Sequence, residues 1–183
     1  MTRILYARPI KESLHLSLKD TVQKLKNNGV IPWLRVALVG NDPASQIYTK
    51  NKKKFIEGLG GKCDIIHIKE DVTEESFKSK VKSLSSEKGV HGFLIQLPLP
   101  KQLSHIDAGN LIPPSLDVDG LNSLNMGELL KGDIHNSSFC PCTPKGIITL
   151  LDYYDIPIEG KEICVIGRSL IVGKPLSLLM LNE

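Results

Sequence analysis

Short runs of apolar and β-branched residues alternate with helical patterns in this sequence. The runs lie at residues 34–39, 64–68 and 90–96, and they have the length and composition of buried strands. Helical patterns at residues 43–58 and 73–84 separate them. A helix that joins two such strands carries the chain back to the same end of the sheet, so the strands run parallel. The sequence therefore predicts an α/β fold in which helices cover a parallel sheet.

An amphipathic helix is predicted ahead of the strands, at residues 9–28, where leucine, isoleucine and valine recur at mostly helical spacing. With 183 residues, 41% of them hydrophobic and 23% charged, the chain suits a globular protein with one large domain or one domain plus part of another. A formal net charge of +3, spread along the chain, does not indicate nucleic acid as a partner. No apolar run approaches the ~20 residues of a membrane helix. No secretory pattern is visible, so we expect a cytoplasmic protein.

The cysteines give no metal-binding pattern. No pair has the Cys-x-x-Cys spacing of a zinc site, and no cluster of histidines or carboxylates supports the close pair Cys140 and Cys142. In the cytoplasm the thiols are expected to be reduced. We therefore predict no metal site and four free cysteines, namely Cys63, Cys140, Cys142 and Cys164.

The helix after the first predicted strand carries reactive side chains at its start. Pro43 suits the first helical position, because its missing N–H is one that a helix start leaves unpaired anyway. Ser45, Tyr48 and Lys52 then share one helix face at the carboxyl end of a strand, the sheet edge where α/β proteins bind ligands. A lysine in such a place can serve as a base where burial or nearby positive charge favours the neutral amine. The alternative is a solvated basic helix on which Tyr48 is a packing residue.

Polar and stiff residues follow the third predicted strand, in the stretch Gln96-Leu97-Pro98-Leu99-Pro100. Gln96 is both donor and acceptor, which suits the edge of an amide or of a pterin-like ring, although it is equally suited to a loop in contact with water. The prolines prevent further strand pairing and make the segment stiff.

Further along, Asp117-Val118-Asp119-Gly120 has two readings. The carboxylates either form a turn or accept hydrogen bonds from a heterocycle with N–H donors.

The last part of the chain has the pattern that opens a dinucleotide-binding fold. After an irregular stretch at residues 126–141, Thr143 and Pro144 are predicted as cap and first residue of a helix through Tyr154. A strand at residues 161–166, a glycine-containing turn and another helix are predicted to follow. Arg168 in that turn suggests a 2′-phosphate, hence NADP rather than NAD. Because Glu183 comes in or just after this helix, we expect the remaining strands of such a fold to be absent from the chain.

Four stretches in order resemble the bifunctional methylenetetrahydrofolate dehydrogenase/methenyltetrahydrofolate cyclohydrolase family. They are Ser45-x-x-Tyr48-x-x-x-Lys52, residues 92–100 (GFLIQLPLP), Asp117-Val118-Asp119-Gly120 and residues 167–175 (GRSLIVGKP), and residues 141–146 (PCTPKG) fit as well. The resemblance implies a folate-binding catalytic domain at residues 1–142. It also implies a linking helix and the first strand, turn and helix of an incomplete NAD(P)-binding domain at residues 143–183.

The resemblance also implies an activity and the residues that perform it. The family oxidises 5,10-methylenetetrahydrofolate with NAD(P)⁺ and hydrolyses the methenyl product to 10-formyltetrahydrofolate. The implied catalytic residues are Lys52, Tyr48 and Gln96. The implied folate contacts add Ser45, Leu97, Pro98 and Asp119, and the implied cofactor contacts are Gly167, Arg168, Ser169, Val172, Gly173 and Thr143.

Three readings share these residues. The chain is a member of the family with NADP as cofactor and a tetrahydrofolate derivative as substrate, a cyclohydrolase that lacks the dehydrogenase, or a folate-binding module without catalysis. A fourth reading, nucleic-acid binding through the lysines of residues 50–54, has no aromatic platform to support it. The resemblance and the apolar face expected near residue 161 both favour a homodimer.

Overall fold

A computed structural model of the chain describes residues 3–132 and 139–182. The chain forms two compact units. The sheet unit is Ser17–Val118, and the helical unit combines Met1–Leu16 with Asp119–Glu183.

The sheet unit contains a parallel sheet of three strands in the order β2-β1-β3. The strands are β1 (Trp33–Val39), β2 (Lys62–Ile68) and β3 (Gly92–Ile95). β1 pairs with β2 along its whole length and with β3 from Leu34 to Ala37, and it is buried from its third residue onward, which is why most of it reads as an apolar run. The predicted α/β fold with a parallel sheet is confirmed, and the strand ends differ by only a few residues.

The helices α1 (Arg8–Asn27), α2 (Pro43–Gly58) and α3 (Glu74–Ser85) accompany the sheet. α1 begins in the helical unit and ends in the sheet unit. Local capping sets the starts of the other two: the Asp42 carboxylate accepts the N–H of Ser45 at 2.7 Å ahead of α2, and Thr73 accepts the N–H of Ser76 at 3.3 Å ahead of α3. Because these caps are local, the sequence was sufficient to place both starts.

The core of the sheet unit fixes the segment that follows β3. All four β3 residues are buried, and Phe93 and Phe77 are fully enclosed. Beyond the strand, Leu99 and Leu103 belong to the same apolar cluster. Burial on both sides of the polar stretch therefore holds Gln96 at the carboxyl end of β3.

The buried cation Arg35 ties the end of α3 to β1. Its side chain is 4% exposed, and its Nη1 donates to the Leu84 carbonyl at 3.0 Å and to the Glu87 carboxylate at 2.6 Å. Its Nη2 lies 3.7 Å from a carboxylate oxygen of Asp64. The hydrogen bond from Arg35 holds the pKa of Glu87 below its ordinary value of 4.5.

This lowered pKa predicts how stability changes with pH. A carboxyl with a lower pKa in the folded chain stabilises the fold above its unfolded pKa, and this stabilisation is lost as the pH falls through the folded pKa. We expect Glu87→Gln to lower the urea midpoint at neutral pH. The difference in midpoint from the unsubstituted chain should become smaller as the pH falls below 4.5. The exposed Glu75 on α3 provides the control, Glu75→Gln. If Glu87→Gln lowers the urea midpoint by the same amount at neutral and acidic pH, the ionised Glu87 carboxylate is not the source of the stabilisation.

The helical unit contains a helix where the sequence predicted irregular structure. α4 spans Ser123–Lys131, so the prediction for residues 126–131 was wrong. The Asn122 side chain accepts the N–H of Leu124 and caps the start, and Gly132 ends the helix with a left-handed φ of +77°. Both signals are present in the sequence and were missed. The rest of that prediction includes residues 133–138, which lie outside the described residues.

The next helix, α5 (Cys142–Tyr153), begins earlier than predicted. Pro141, not Thr143, occupies the cap position, and its carbonyl accepts the N–H of Lys145 at 3.1 Å to close the first turn. Pro144 is therefore the third helical residue, where a missing N–H is still without consequence for the helix. The predicted cap role of Thr143 is wrong, and its hydroxyl is exposed on the first turn.

The strand predicted at residues 161–166 does not form among the residues that the structure describes. An extended segment becomes a strand only by hydrogen bonding to a neighbouring strand. No described segment pairs with residues 161–166. Ile166 is accordingly 99% exposed.

The predicted turn and helix do follow, and α6 spans Gly173–Asn182. None of the helices in the described ranges is both long and apolar enough to span a membrane.

Candidate functional site

The amine of Lys52 meets the side chain of Gln96 at the carboxyl end of the sheet. Lys52 Nζ donates to Gln96 Oε1 at 3.3 Å, and both residues are half-buried. The backbone places Gln96 there, since its N–H donates to the Ala37 carbonyl of β1 at 2.8 Å and so extends the ladder by one residue. The site therefore joins α2 to the end of β3 across the central strand.

The amide of Gln96 has a defined orientation. Its Nε2 donates to the Leu97 carbonyl at 2.7 Å, while its oxygen faces Lys52. Contacts with the described residues leave one amide N–H and one oxygen lone pair of Gln96 for a ligand. Pro98 is exposed next to it, joined to Leu97 by a cis peptide bond, and Leu99 is buried.

Tyr48 places an aromatic ring beside the lysine. The ring centroid lies 5.9 Å from Lys52 Nζ, a distance at which a cation is attracted to the ring. The Tyr48 side chain is 64% exposed, so it is not a core packing residue, and its ring offers a flat surface for stacking. Ser45, predicted to share a face with Tyr48 and Lys52, is buried instead, at 4% exposure. Its N–H holds the pKa of the Asp42 carboxyl below its ordinary value.

Asp119 and Asp117 differ in accessibility. Asp117 is fully buried and pairs with Phe93 through the backbone at the sheet edge. Asp119, in the helical unit, is half-buried in a turn, and its Oδ1 lies 3.9 Å from the Cys142 thiol, a weak hydrogen bond. This contact was not predicted from the sequence, in which Cys142 was considered only as a metal ligand. No group of three potential metal ligands is found in the described parts of the chain.

The predicted cofactor turn precedes α6 in the helical unit. Gly173 approaches Gly167 so closely that a Cβ on Gly173 would lie 2.4 Å from the Gly167 backbone. The Ser169 hydroxyl accepts the N–H groups of Val172 at 3.1 Å and of Gly173 at 3.3 Å. Arg168 is exposed. A cavity of about 400 Å³ adjoins the turn, with a lining that includes Val165, Gly167, Ser169, Gly173 and Leu176.

The structure thus brings Lys52, Tyr48 and Gln96 together in the sheet unit. Asp119, Thr143 and the turn of residues 167–173 belong to the helical unit. This is an α/β protein with an amine, an amide and an exposed aromatic ring at the carboxyl end of its parallel sheet. Such a constellation suits proton transfer to a flat, hydrogen-bonding ligand.

Comparison with known families places both parts of the chain in one family. Residues 5–119 match the catalytic domain of the tetrahydrofolate dehydrogenase/cyclohydrolase family, and residues 141–183 match the NAD(P)-binding domain of that family. The chain belongs to the tetrahydrofolate dehydrogenase/cyclohydrolase family.

Individual relatives are similar over nearly the whole chain. The bifunctional protein FolD of Macrococcus caseolyticus is 43% identical over 97% of the chain, which spans 62% of that relative. The Staphylococcus aureus protein of the same name is 43% identical over 100% of the chain, which spans 63% of it. The chain therefore spans less than two thirds of the length of these curated relatives.

Solved structures are similar as well. The bifunctional FolD enzyme of Campylobacter jejuni superposes with a TM-score of 0.91 at 38% identity, over 98% of this chain and 63% of that one. The Trypanosoma brucei enzyme, solved with NADP and an inhibitor, gives a TM-score of 0.90 at 30% identity, over 99% of this chain and 61% of that one.

Proposed function

We propose that the chain provides the folate site and the cofactor turn of an enzyme that oxidises 5,10-methylenetetrahydrofolate with NADP⁺ and hydrolyses the methenyl product to 10-formyltetrahydrofolate. The observation that carries this proposal is the 3.3 Å contact between Lys52 Nζ and Gln96 Oε1 at the carboxyl end of the sheet. The names of the relatives, bifunctional proteins in bacteria, support it. A folate-binding module without catalysis would not require an amine at this position.

Tetrahydrofolate offers groups that match the side chains assigned to it. Its flat rings suit stacking on the exposed ring of Tyr48. The N–H donors of the pterin suit the half-buried carboxylate of Asp119, through charge-assisted hydrogen bonds. Leu97 and Pro98 directly follow Gln96 and would form a stiff wall of the site, and Ser45 would contact the ligand from the start of α2. We propose these residues as the substrate contacts.

Hydrolysis needs a group that moves a proton at the one-carbon bridge. The methenyl bridge carries positive charge, which disfavours a second cation nearby and so favours the neutral amine of Lys52. Water attacks the bridge carbon, and Lys52 takes the proton that the water loses. The hydroxyl of this adduct then gives its proton to water and becomes the formyl carbonyl, while the bond from the carbon to the ring nitrogen breaks and the nitrogen takes up the proton held by Lys52. Gln96 orients the amine through its oxygen, and Tyr48 confines it to this face of the helix.

The turn before α6 fits a dinucleotide. The contact between Gly173 and Gly167 leaves room only for hydrogen at this position, as expected where a backbone curls around a pyrophosphate. Gly167, Ser169, Val172 and Gly173 would hold the pyrophosphate, with Thr143 as a further contact. The exposed cation Arg168 would receive a 2′-phosphate, which favours NADP over NAD. A dinucleotide held by these residues would supply the acceptor for the hydride that leaves the one-carbon bridge.

The decay of 5,10-methenyltetrahydrofolate absorbance tests the proposal directly. We expect the chain to accelerate this decay without any nucleotide, because hydrolysis uses only the lysine, the amide and water. Adding 5,10-methylenetetrahydrofolate with NADP⁺ then measures the dehydrogenase separately. A decay no faster than in buffer, with folded protein present, would contradict the proposed hydrolysis.

We also propose the remaining features of the enzyme from its family and its surface. It is a cytoplasmic homodimer that acts on a small folate and binds neither nucleic acid nor membranes, with a folate domain at residues 1–142 and the start of a cofactor domain at residues 143–183. The exposed side chains of Ile163 and Ile166 support a dimer, since they leave apolar surface for a partner to cover. A purely monomeric species in sedimentation velocity would exclude the dimer.

A further inference from the structure

The turn that carries Asp119 lies directly on the backbone that precedes α5. Gly120 in this turn is buried and has a left-handed φ of +67°. A Cβ at this position would lie 2.7 Å from the Cys140 carbonyl carbon and from the Phe139 oxygen, and 2.8 Å from the Pro141 nitrogen. All three are backbone atoms, which cannot rotate away as the end of a side chain can. Conformation and space therefore both require glycine at position 120.

The backbone that Gly120 contacts is itself held in place. Pro141 is fully buried, and its carbonyl accepts the N–H of Lys145 in the first turn of α5. Cys140 is buried as well and belongs to the apolar cluster of the helical unit. Because this segment is anchored in the core and in a helix, a side chain forced in at position 120 would displace the turn rather than the segment.

Asp119, the neighbour of Gly120, also contacts this segment through its side chain. The Cys142 thiol donates to Asp119 Oδ1 at 3.9 Å, a weak hydrogen bond from an exposed group. One backbone contact, at Gly120, and one side-chain contact, at Cys142, thus set the position of the carboxylate. Hydrogen bonds weaken steeply when their angle is poor, so a carboxylate that receives the N–H groups of a ring depends on such contacts.

We propose that Gly120 and Cys142 are positioning residues for folate binding, which hold the Asp119 carboxylate where it receives the N–H groups of the pterin. This proposal rests on the proposed function, because it takes Asp119 as the folate carboxylate. The groups proposed to move the proton, Lys52 and Gln96, belong to the sheet unit. Substitution of Gly120 or Cys142 should therefore weaken folate binding and leave the proton transfer unchanged.

Hydrolysis kinetics of the full chain test the proposal. In Gly120→Ala, we expect KM for 5,10-methenyltetrahydrofolate to rise about 10–100-fold, the factor that corresponds to a lost hydrogen bond to a charged group, with kcat nearly unchanged. In the Asp119→Ala background, Gly120→Ala should raise KM no further, because Gly120 acts through that carboxylate. Gly160→Ala is the matched control, since Gly160 has a similar φ of +69° but a Cβ there meets no described atom within 4 Å. It should leave KM unchanged.

Cys142→Ala covers the case that Gly120→Ala folds poorly, because Cys142 is exposed. We expect KM to rise about twofold in this variant, the lower end for a neutral hydrogen bond. Cys142→Ser keeps a donor and should restore most of the affinity that the alanine variant loses.

Calorimetric titration of the same variants with tetrahydrofolate measures binding without catalysis. If the unsubstituted chain hydrolyses no 5,10-methenyltetrahydrofolate, the proposed hydrolysis is wrong, and the same increases in Kd would still support the positioning role. An unchanged Kd in Gly120→Ala or in Cys142→Ala would overturn that role. So would additive effects of Gly120→Ala and Asp119→Ala, or the absence of tetrahydrofolate binding by the unsubstituted chain.

Discussion

Replacing Lys52 with methionine is expected to reduce the rate of 5,10-methenyltetrahydrofolate hydrolysis by about 10²–10⁴-fold, the usual contribution of a positioned acid or base. Methionine keeps much of the length and packing of the lysine stem but removes the amine that contacts Gln96. The loss should fall on kcat more than on KM, because the substitution leaves the proposed folate contacts of Tyr48 and Asp119 unchanged. Decay of the methenyl absorbance, measured over a range of substrate concentrations, gives both constants.

Lys54→Met is the control for this experiment. Lys54 lies on the same helix with its side chain exposed, so its replacement removes the same charge without touching Gln96. We expect nearly unchanged kinetics. If Lys52→Met retains the hydrolysis rate of the unsubstituted chain, another group transfers the proton and the proposed role of Lys52 is wrong. If both variants lose activity equally, the effect is one of charge on α2 rather than of this amine.

Replacing Gly173 with alanine is expected to destabilise the helical unit by about 3 kcal/mol, at the upper end of the range for overpacking. The added Cβ would lie 2.4 Å from the carbonyl carbon and oxygen of Gly167 and 2.8 Å from the Arg168 nitrogen. These are backbone atoms, which cannot rotate away as a flexible side chain can. The turn must therefore open, and the start of α6 with it.

Urea unfolding followed by far-ultraviolet circular dichroism measures this loss. The fluorescence of Trp33, the single tryptophan, reports on the sheet unit in the same sample. Gly146→Ala is the matched control in α5, since a Cβ there meets no described atom within 4 Å. Because alanine has a higher helix propensity than glycine, this variant should raise the free energy of unfolding by up to about 1 kcal/mol. Equal urea midpoints for Gly173→Ala and the unsubstituted chain would show that the turn accommodates a side chain.

Local signals account for what could be predicted. The starts of α2 and α3 follow from Asp42 with Pro43 and from Thr73, and each cap acts within one turn of helix. The start of α5 was misplaced because two prolines, Pro141 and Pro144, both fit a helix start and only the backbone shows which one takes the cap position. The motifs that carry the family resemblance were likewise visible, since they are contiguous in the chain.

The sequence by itself determined the parallel α/β class, most helices of the sheet unit and the family, because periodicity, caps and short motifs are properties of neighbouring residues. Only the tertiary structure decided that the amine of Lys52 meets the amide of Gln96, 44 residues further along, since this contact requires β3 to lie beside β1. It also decided that residues 161–166 form no strand in the described chain. An extended segment is a strand only where a neighbour accepts and donates its hydrogen bonds, and that depends on the fold rather than on the segment.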